Sequence, residues 1–244
     1  MELQVTKTEL KEISALRTIF LHEGNFQFTY DKCHLYGWAD TYVFRVDGNN
    51  AGYGSVWGKD KREDRDSIFE FYIVEPYRKL SEIFFTKFQA VSGASYIECQ
   101  SNDILLPSFL YERSQNINAE AILFEDHVQT QLVLPAVVLE KIPQDESISN
   151  YDHACVLKQH DEIVATGGLM LNYNIPYADI YYDVKEQHRR KGLGSFMVQE
   201  LKKEAYRIGR VPGARCNIKN NASKSTLLKA GFRICGWRLC GRIS

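Results

Sequence analysis

The 244-residue sequence contains no long apolar run: its longest, Val133–Leu139, is far too short to span a bilayer, so a helical membrane protein is excluded. It also lacks any Cys-x-x-Cys pair. The six cysteines, at 33, 99, 155, 216, 235 and 240, lie far apart, which signals neither a zinc site nor a dense disulfide framework. No metal is expected, and the thiols read as reduced. Neither sign of charge is in excess, with 30 Lys and Arg against 31 Asp and Glu. A broad basic surface for nucleic acid or anionic membrane is therefore not the design, and any anion site must be local. The first ten residues carry no signal-peptide apolar segment, which points to the cytoplasm. A chain of this length at about 100–200 residues per domain is one large domain or two small ones.

The pattern along the chain is mixed α/β. Leu10, Ile13, Leu16, Ile19 and Phe20 follow helical spacing, with Thr8 as a candidate N-cap. Residues 42–46 and 51–57 flank Asp47-Gly48-Asn49-Asn50 as a hairpin, and 68–74 is a strand halted by Pro76. A helix at 83–91, a strand at 96–100 and a short helix at 104–111 follow. The second half repeats the order: strands at 154–158, 163–171 and 178–184, an amphipathic helix at 194–207, a strand at 215–218 and a short helix at 222–230.

The two halves also align loosely in residues. Ile73-Val74-Glu75-Pro76-Tyr77-Arg78 matches Asp183 through Arg189, and Cys99–Asn102 matches Cys216–Asn220. The offset is 110 at the valines and 111 at the arginines. Two related domains, 1–130 and 131–244, joined near 129–143, are expected.

The sharpest local feature is Gln187–Ser195 (QHRRKGLGS), between a strand and the strongest helix. Gly192 and Gly194 free successive backbone N–H groups to converge, the helix N-terminus adds partial positive charge, and His188, Arg189, Arg190 and Lys191 supply a local field. Such a loop suits a pyrophosphate. An ordinary basic strand-to-helix turn, with glycines for sterics, has the same composition. Neither the full P-loop nor the full dinucleotide-binding glycine pattern is present.

Arg189-Arg190-Lys191-Gly192-Leu193-Gly194 resembles the signature of the GNAT superfamily of acyl-CoA-dependent N-acetyltransferases, Arg/Gln-x-x-Gly-x-Gly/Ala. Val184, eight residues before Gly192, falls where that family ends its fourth strand. Asn220-Asn221-Ala222-Ser223 through Gly231-Phe232 resembles its second motif. The resemblance covers roughly 155–244 and implies two tandem domains, each a mixed, mostly antiparallel sheet flanked by helices, with acetyl-CoA (acyl-CoA) as co-substrate. The second motif also has a purely structural reading: Asn221 can N-cap the short helix, Gly231 can end it in the left-handed conformation, and Phe232 can pack back.

By the same resemblance the fourth and fifth strands splay apart and the pantetheine arm inserts between them. Asp183, Val184 and Lys185 would then offer the exposed edge. The Val184 N–H would polarise the thioester carbonyl, and Arg189, Arg190, Lys191, Gly192, Leu193, Gly194 and Ser195 would hold the phosphates, with Asn220 or Asn221 on the pantetheine. An attacking ammonium must first lose a proton. Strand alternation puts Asp179, Tyr181 and Asp183 on one face; if it faces the cleft, Asp183 is the first candidate base and Asp179 the second. The same residues would equally line a solvated sheet face.

One departure concerns the acid. Where many family members have a tyrosine, this sequence has Leu227, and Tyr181, Tyr182 or Tyr173 are the nearby substitutes. In the first half Ser81 and Ile83 stand at the loop-glycine positions and Glu82 beside them, so that copy is expected not to bind CoA. The implied activity is direct acetyl transfer to a primary amine of a small molecule or peptide. A non-catalytic acyl-CoA sensor or interaction module is the alternative.

Overall fold

Apolar alternation in the N-terminal half organises a meander of strands. The computed structural model describes residues 1–24, 26, 31–142, 152–172 and 175–244, and it divides into two compact units. The first comprises Met1–Glu120 and Trp237–Ser244. In it β1 (Leu3–Thr8) pairs antiparallel with β2 (Ala39–Val46), after α1 (Ser14–Glu23) and α2 (Asp31–Leu35) have intervened. β2 turns through Asp47 and Gly48, both at positive φ, into β3 (Asn49–Trp57), and β4 (Ser67–Ile73) extends the meander. A 3-10 turn at Glu75–Leu80 runs directly into α3 (Ser81–Ser92), which leads to β5 (Tyr96–Gln100). β5 is parallel to β4, and α4 (Leu106–Arg113) follows. Phe44, Phe71, Phe84, Phe85 and Phe88 fill the core between this sheet and α3.

The second unit is Ala121–Gly236. Its meander is β7 (Val137–Lys141), β8 (Asp152–Gln159), β9 (Glu162–Met170) and β10 (Tyr177–Val184), with β6 (Ser114–Asp126) entering from the first unit. α5 (Leu193–Arg207) connects β10 to its parallel neighbour β11 (Val211–Asn217); α6 (Asn221–Lys229) and β12 (Phe232–Ile243) complete the chain. Leu193, Met197, Val198, Leu201 and Ala205, the apolar stripe of α5, are buried against Ala178, Ile180, Val184 and Phe124. Each such large side chain contributes roughly 1.5–3 kcal/mol by leaving water. Among the described residues no helix is long and apolar enough to cross a membrane.

Both units therefore carry the same α/β plan, a mostly antiparallel sheet with one parallel pair bridged by a helix. Their boundaries differ from the expected 130/131. The units part at 120/121, and the last eight residues return to the first. The reason lies in strand pairing: Arg238–Arg242 of β12 pairs with β5, while Ala121–Glu125 of β6 pairs with β11. Such non-local partnership leaves no mark in local composition. Five elements that the sequence pattern did not show are β1, whose residues are largely polar, the short helix α2, and the strands β6, β7 and β12. At the first helix, Thr8 ends β1 instead of capping; a 3-10 turn, Leu10–Ile13, precedes α1 with Glu9 at its N-cap position. Tyr173 and Pro143 lie outside the described residues.

Candidate functional site

The site begins where β10 and β11 part. Their parallel register runs through Tyr177↔Val211, Ala178↔Pro212 and Asp179↔Gly213 and ends there. On its other edge β10 stays paired with β9 to Val184↔Ala165. Two hydrogen bonds fix which backbone groups face which neighbour: Val211 N–H donates to Pro176 O (2.9 Å), and Lys185 N–H donates to Val164 O (3.1 Å). Even-numbered residues of β10 thus direct their N–H groups to the β11 side. Beyond Asp179 this leaves the N–H groups of Ile180, Tyr182 and Val184 facing an opening, with no strand partner on that side among the described residues. The expected edge of Asp183, Val184 and Lys185 is corrected by this parity. Lys185 has its N–H on Val164 and its carbonyl accepting from His188 N–H (2.8 Å), and Asp183 lies opposite Thr166 on the β9 side.

The opening leads to the N-terminus of α5. Gly192 is the N-cap residue at φ 81°, a conformation costly to a residue bearing Cβ, and no side chain caps the helix. The first N–H groups of α5 are consequently left without intrahelical partners and with the positive end of the helix dipole. Gly194 serves a different need: a Cβ there would lie 3.1 Å from Thr226 Cγ2 and 3.4 Å from Tyr182 Cε2, so its bareness permits close packing of α5 on α6 and β10. The basic run divides by role. Arg189 Nε donates to Val184 O (3.0 Å) and clasps the loop to the strand end, and His188 Nε2 lies 3.0 Å from Glu162 Oε1. Arg190 and Lys191 are exposed and, among the described residues, form no ion pair. The Leu193 side chain belongs to the core, and Ser195 Oγ donates to Thr226 O (3.2 Å). Only their backbone groups remain for an anion.

The far wall is α6. Asn220, not Asn221, is its N-cap, accepting the Ser223 N–H on Oδ1 (3.0 Å). Asn221 is the first helical residue and exposed. Gly231, at φ 86°, follows the helix end in the left-handed region. The other fixture of α6 was not legible in sequence. Lys202, on the buried face of α5, sends Nζ to the carbonyls of Val128 (2.7 Å), Ala230 (3.1 Å) and Gly231 (3.3 Å) and to Asp126 Oδ1 (2.7 Å). A lysine in an apolar stripe is the one available signal.

The family model for the GNAT acetyltransferase family matches residues 122–232. Residues 122–232 are a GNAT acetyltransferase-family domain. No curated protein sequence matches the chain. Among solved structures, a GNAT-family acetyltransferase from Colwellia psychrerythraea superposes with TM-score 0.78 at 14% identity, covering 100% of both chains. A tandem GNAT protein from the clavulanic acid biosynthesis pathway gives 0.64 at 12% identity over 99% of this chain and 98% of its own. A GCN5-related N-acetyltransferase from Sphaerobacter thermophilus gives 0.61 at 11%, over 98% and 95%. At these identities the likeness is one of fold, and it extends over both units: the fold is that of a tandem GNAT protein.

Within the GNAT domain the candidate bases separate. Asp183 is strongly exposed, with Arg189 Nη2 at 3.7 Å. Asp179 is buried, and Arg215 Nε sits 3.6 Å from its Oδ2, an ion pair across the point where β10 and β11 diverge. Asp179 therefore braces the opening. Tyr182 packs toward α5 and α6, with Oη 3.1 Å from Ser223 Oγ, and burial raises its pKa. Tyr181 is on the opposite face, its hydroxyl close over Gly168. Leu227 is buried in the core. Cys216, on β11 beside the opening, is buried with its thiol pKa pushed up by desolvation, the reverse of what a nucleophile needs. All six cysteines are free, and among the described residues no cluster of His, Cys, Asp and Glu could hold a metal.

Proposed function

We propose that the second unit transfers an acetyl group from acetyl-CoA to a primary amine by direct attack. The observation that carries this reading is the free β10 edge, Ile180, Tyr182 and Val184, running to the uncapped N-terminus of α5. The residues fit the co-substrate: a strand edge for the pantetheine amides, an uncapped helix start for the pyrophosphate, and Arg190 and Lys191 as exposed cations beside it. Bound there, acetyl-CoA supplies an activated acyl group. The edge N–H groups, Val184 foremost, bond the carbonyl oxygen as negative charge develops on it, in a frame already fixed and requiring no reorganisation. Asp183, beside that edge and open to solvent, takes the proton from the incoming ammonium directly or through water. Asp179 and Arg215 link the two strands at the point where they diverge, and Asn220 fixes the first turn of α6.

The acceptor is an amine of a small molecule or peptide, and the unpaired thiols suit a reducing, cytoplasmic setting. The burial of Leu227, which leaves no hydroxyl at that point of α6, favours one second reading, an acyl-CoA sensor. Incubation with acetyl-CoA and a broad amine panel, following free thiol, separates the two. Amine-dependent CoA release supports transfer. Tight acetyl-CoA binding with no release above the hydrolysis background establishes the sensor.

A further inference from the structure

Strand register maps the face of the second unit that carries Asp183, the face turned away from α5. Residues directly opposite in an antiparallel pair point the same way, so Asp183 shares its row with Thr166 and Val156, and Tyr181 shares the next row with Gly168 and Ala154. One row offers a carboxylate and a hydroxyl; the other sets an aromatic ring beside two small residues. Gly168 decides how that ring lies. A Cβ on Gly168 would stand 2.5 Å from Tyr181 Oη and 2.8 Å from its Cζ, so the ring reclines across β9 over bare backbone. Tyr181 is half-buried, and Asp183 and Thr166 are exposed. An aromatic floor therefore lies two residues, roughly 7 Å, along β10 from an open carboxylate.

The same face of the first unit is closed. At the offset of 111, Glu70 stands where the second unit has Tyr181, and Ser55, its partner on β3, donates to Glu70 Oε2 (3.1 Å). Arg17 of α1 donates to Glu70 Oε1 from Nη2 (2.9 Å) and Nε (3.1 Å), and His34 Nε2 of α2 lies 3.0 Å from Oε2. Under these helices Glu70 is 0% exposed. α1 and α2 fall in the link 9–38 between β1 and β2, whereas the link between β7 and β8 in the second unit is only 142–151. The carboxylate of the first unit is spent on tying down its own helices. In the second unit a ring takes that position and the neighbouring carboxylate stays in water.

Given acetyl transfer by the second unit, on which this rests, we propose that Tyr181 is the specificity residue for the acceptor: a small primary ammonium sits at Asp183 and lays an apolar stem on the Tyr181 ring. Phenethylammonium and ethylammonium are titrated calorimetrically, with CoA present, into the full chain and into Tyr181→Phe, Tyr181→Ala and Asp183→Asn. The same amines are then assayed with acetyl-CoA by release of free thiol. The wild type is expected to bind phenethylammonium about tenfold more tightly than ethylammonium, from stacking and apolar burial on the ring. Tyr181→Phe keeps that ratio, because the ring face and not the hydroxyl makes the contact, and Tyr181→Ala brings it within about twofold of unity. Asp183→Asn weakens both amines alike and leaves the ratio standing, since the carboxylate meets only the ammonium. Equal binding of the two amines by the wild type, or no binding of phenethylammonium, would overturn the proposal whether or not the variants fold. An undiminished ratio in Tyr181→Ala would overturn it as well. The two readings also fail separately. Tyr181-dependent binding with no thiol release supports the subsite and overturns transfer, whereas thiol release at the same KM for both amines supports transfer and overturns the subsite.

Discussion

The two units use the same clasp for different ends. Arg189 Nε donates to Val184 O at 3.0 Å, and Arg78 Nε donates to Ile73 O at 3.3 Å. The pairs differ by 111 positions at both residues, which aligns Ile73, not Val74, with Val184. Past the clasp the chains diverge. In the second unit Gly192 turns to φ 81° and leaves a helix start uncapped; in the first, Leu80 and Ser81 continue into α3. The arginine is thus scaffold, common to both, and the glycine makes the proposed cradle.

The hardest test of that division is Gly192→Glu, which adds bulk, strain at positive φ and a negative charge. It is expected to weaken acetyl-CoA binding by about 100-fold, roughly 2.7 kcal/mol, read by calorimetry. Retained affinity would refute the cradle. The carboxylate comes next. Asp183→Asn is expected to lower kcat about 100-fold while leaving the acetyl-CoA KM within about twofold, as for loss of a proton acceptor. At offset 111 its counterpart is Tyr72, and Tyr72→Phe should leave the rate unchanged. Equal effects from the two would dissolve the distinction between the units.

Local signals carried much of this in advance. The amphipathic stripe of α5, the glycines at 192 and 194 and the Asn-to-Gly-Phe motif are all short-range patterns, and they placed the loop and both its flanking elements. What required coordinates was every feature set by pairing across the chain. Strand parity, decided by the Lys185-to-Val164 bond, moved the open edge from Asp183 and Lys185 to Ile180 and Tyr182. The Asp179–Arg215 pair and the Lys202 anchor join residues remote in sequence, and the assignment of 237–244 to the first unit rests on β12 pairing with β5. Gly194 shows the subtler limit: its position was legible, but its packing against Thr226 was not.

The paired arginines give a more modest contrast. Arg78→Ala and Arg189→Ala each remove a charged donor from a backbone carbonyl, and each is expected to cost about 1.5 kcal/mol in urea unfolding. Only Arg189→Ala should also raise the acetyl-CoA KM, because only its loop continues into the cradle. A KM change from Arg78→Ala would mean that the first unit takes part in CoA binding.

The smallest expected effect is at Asp103, whose Oδ1 accepts the N–H groups of Leu105 (2.8 Å) and Leu106 (3.1 Å) in the turn before α4, and it is read through pH. In the unfolded chain an Asp titrates near 3.9, whereas burial places Asp103 at about 6. Between those values the folded state holds the proton that the unfolded state has lost, so stability falls as pH rises from about 4 to 6 and the loss is complete above 6. Asp103→Asn removes this dependence. It should match the wild type near pH 4 and exceed it by about 1 kcal/mol at pH 7, after relaxation around the carboxylate absorbs part of the full shift. Glu70 and Glu204, both held down to about 2, act in the opposite sense, stabilising above the usual carboxylate range and losing that effect as pH falls. Both carboxylates remain in the variant, so the difference between the two pH curves isolates Asp103. A flat difference curve would mean that the charge at Asp103 is already balanced within the first unit.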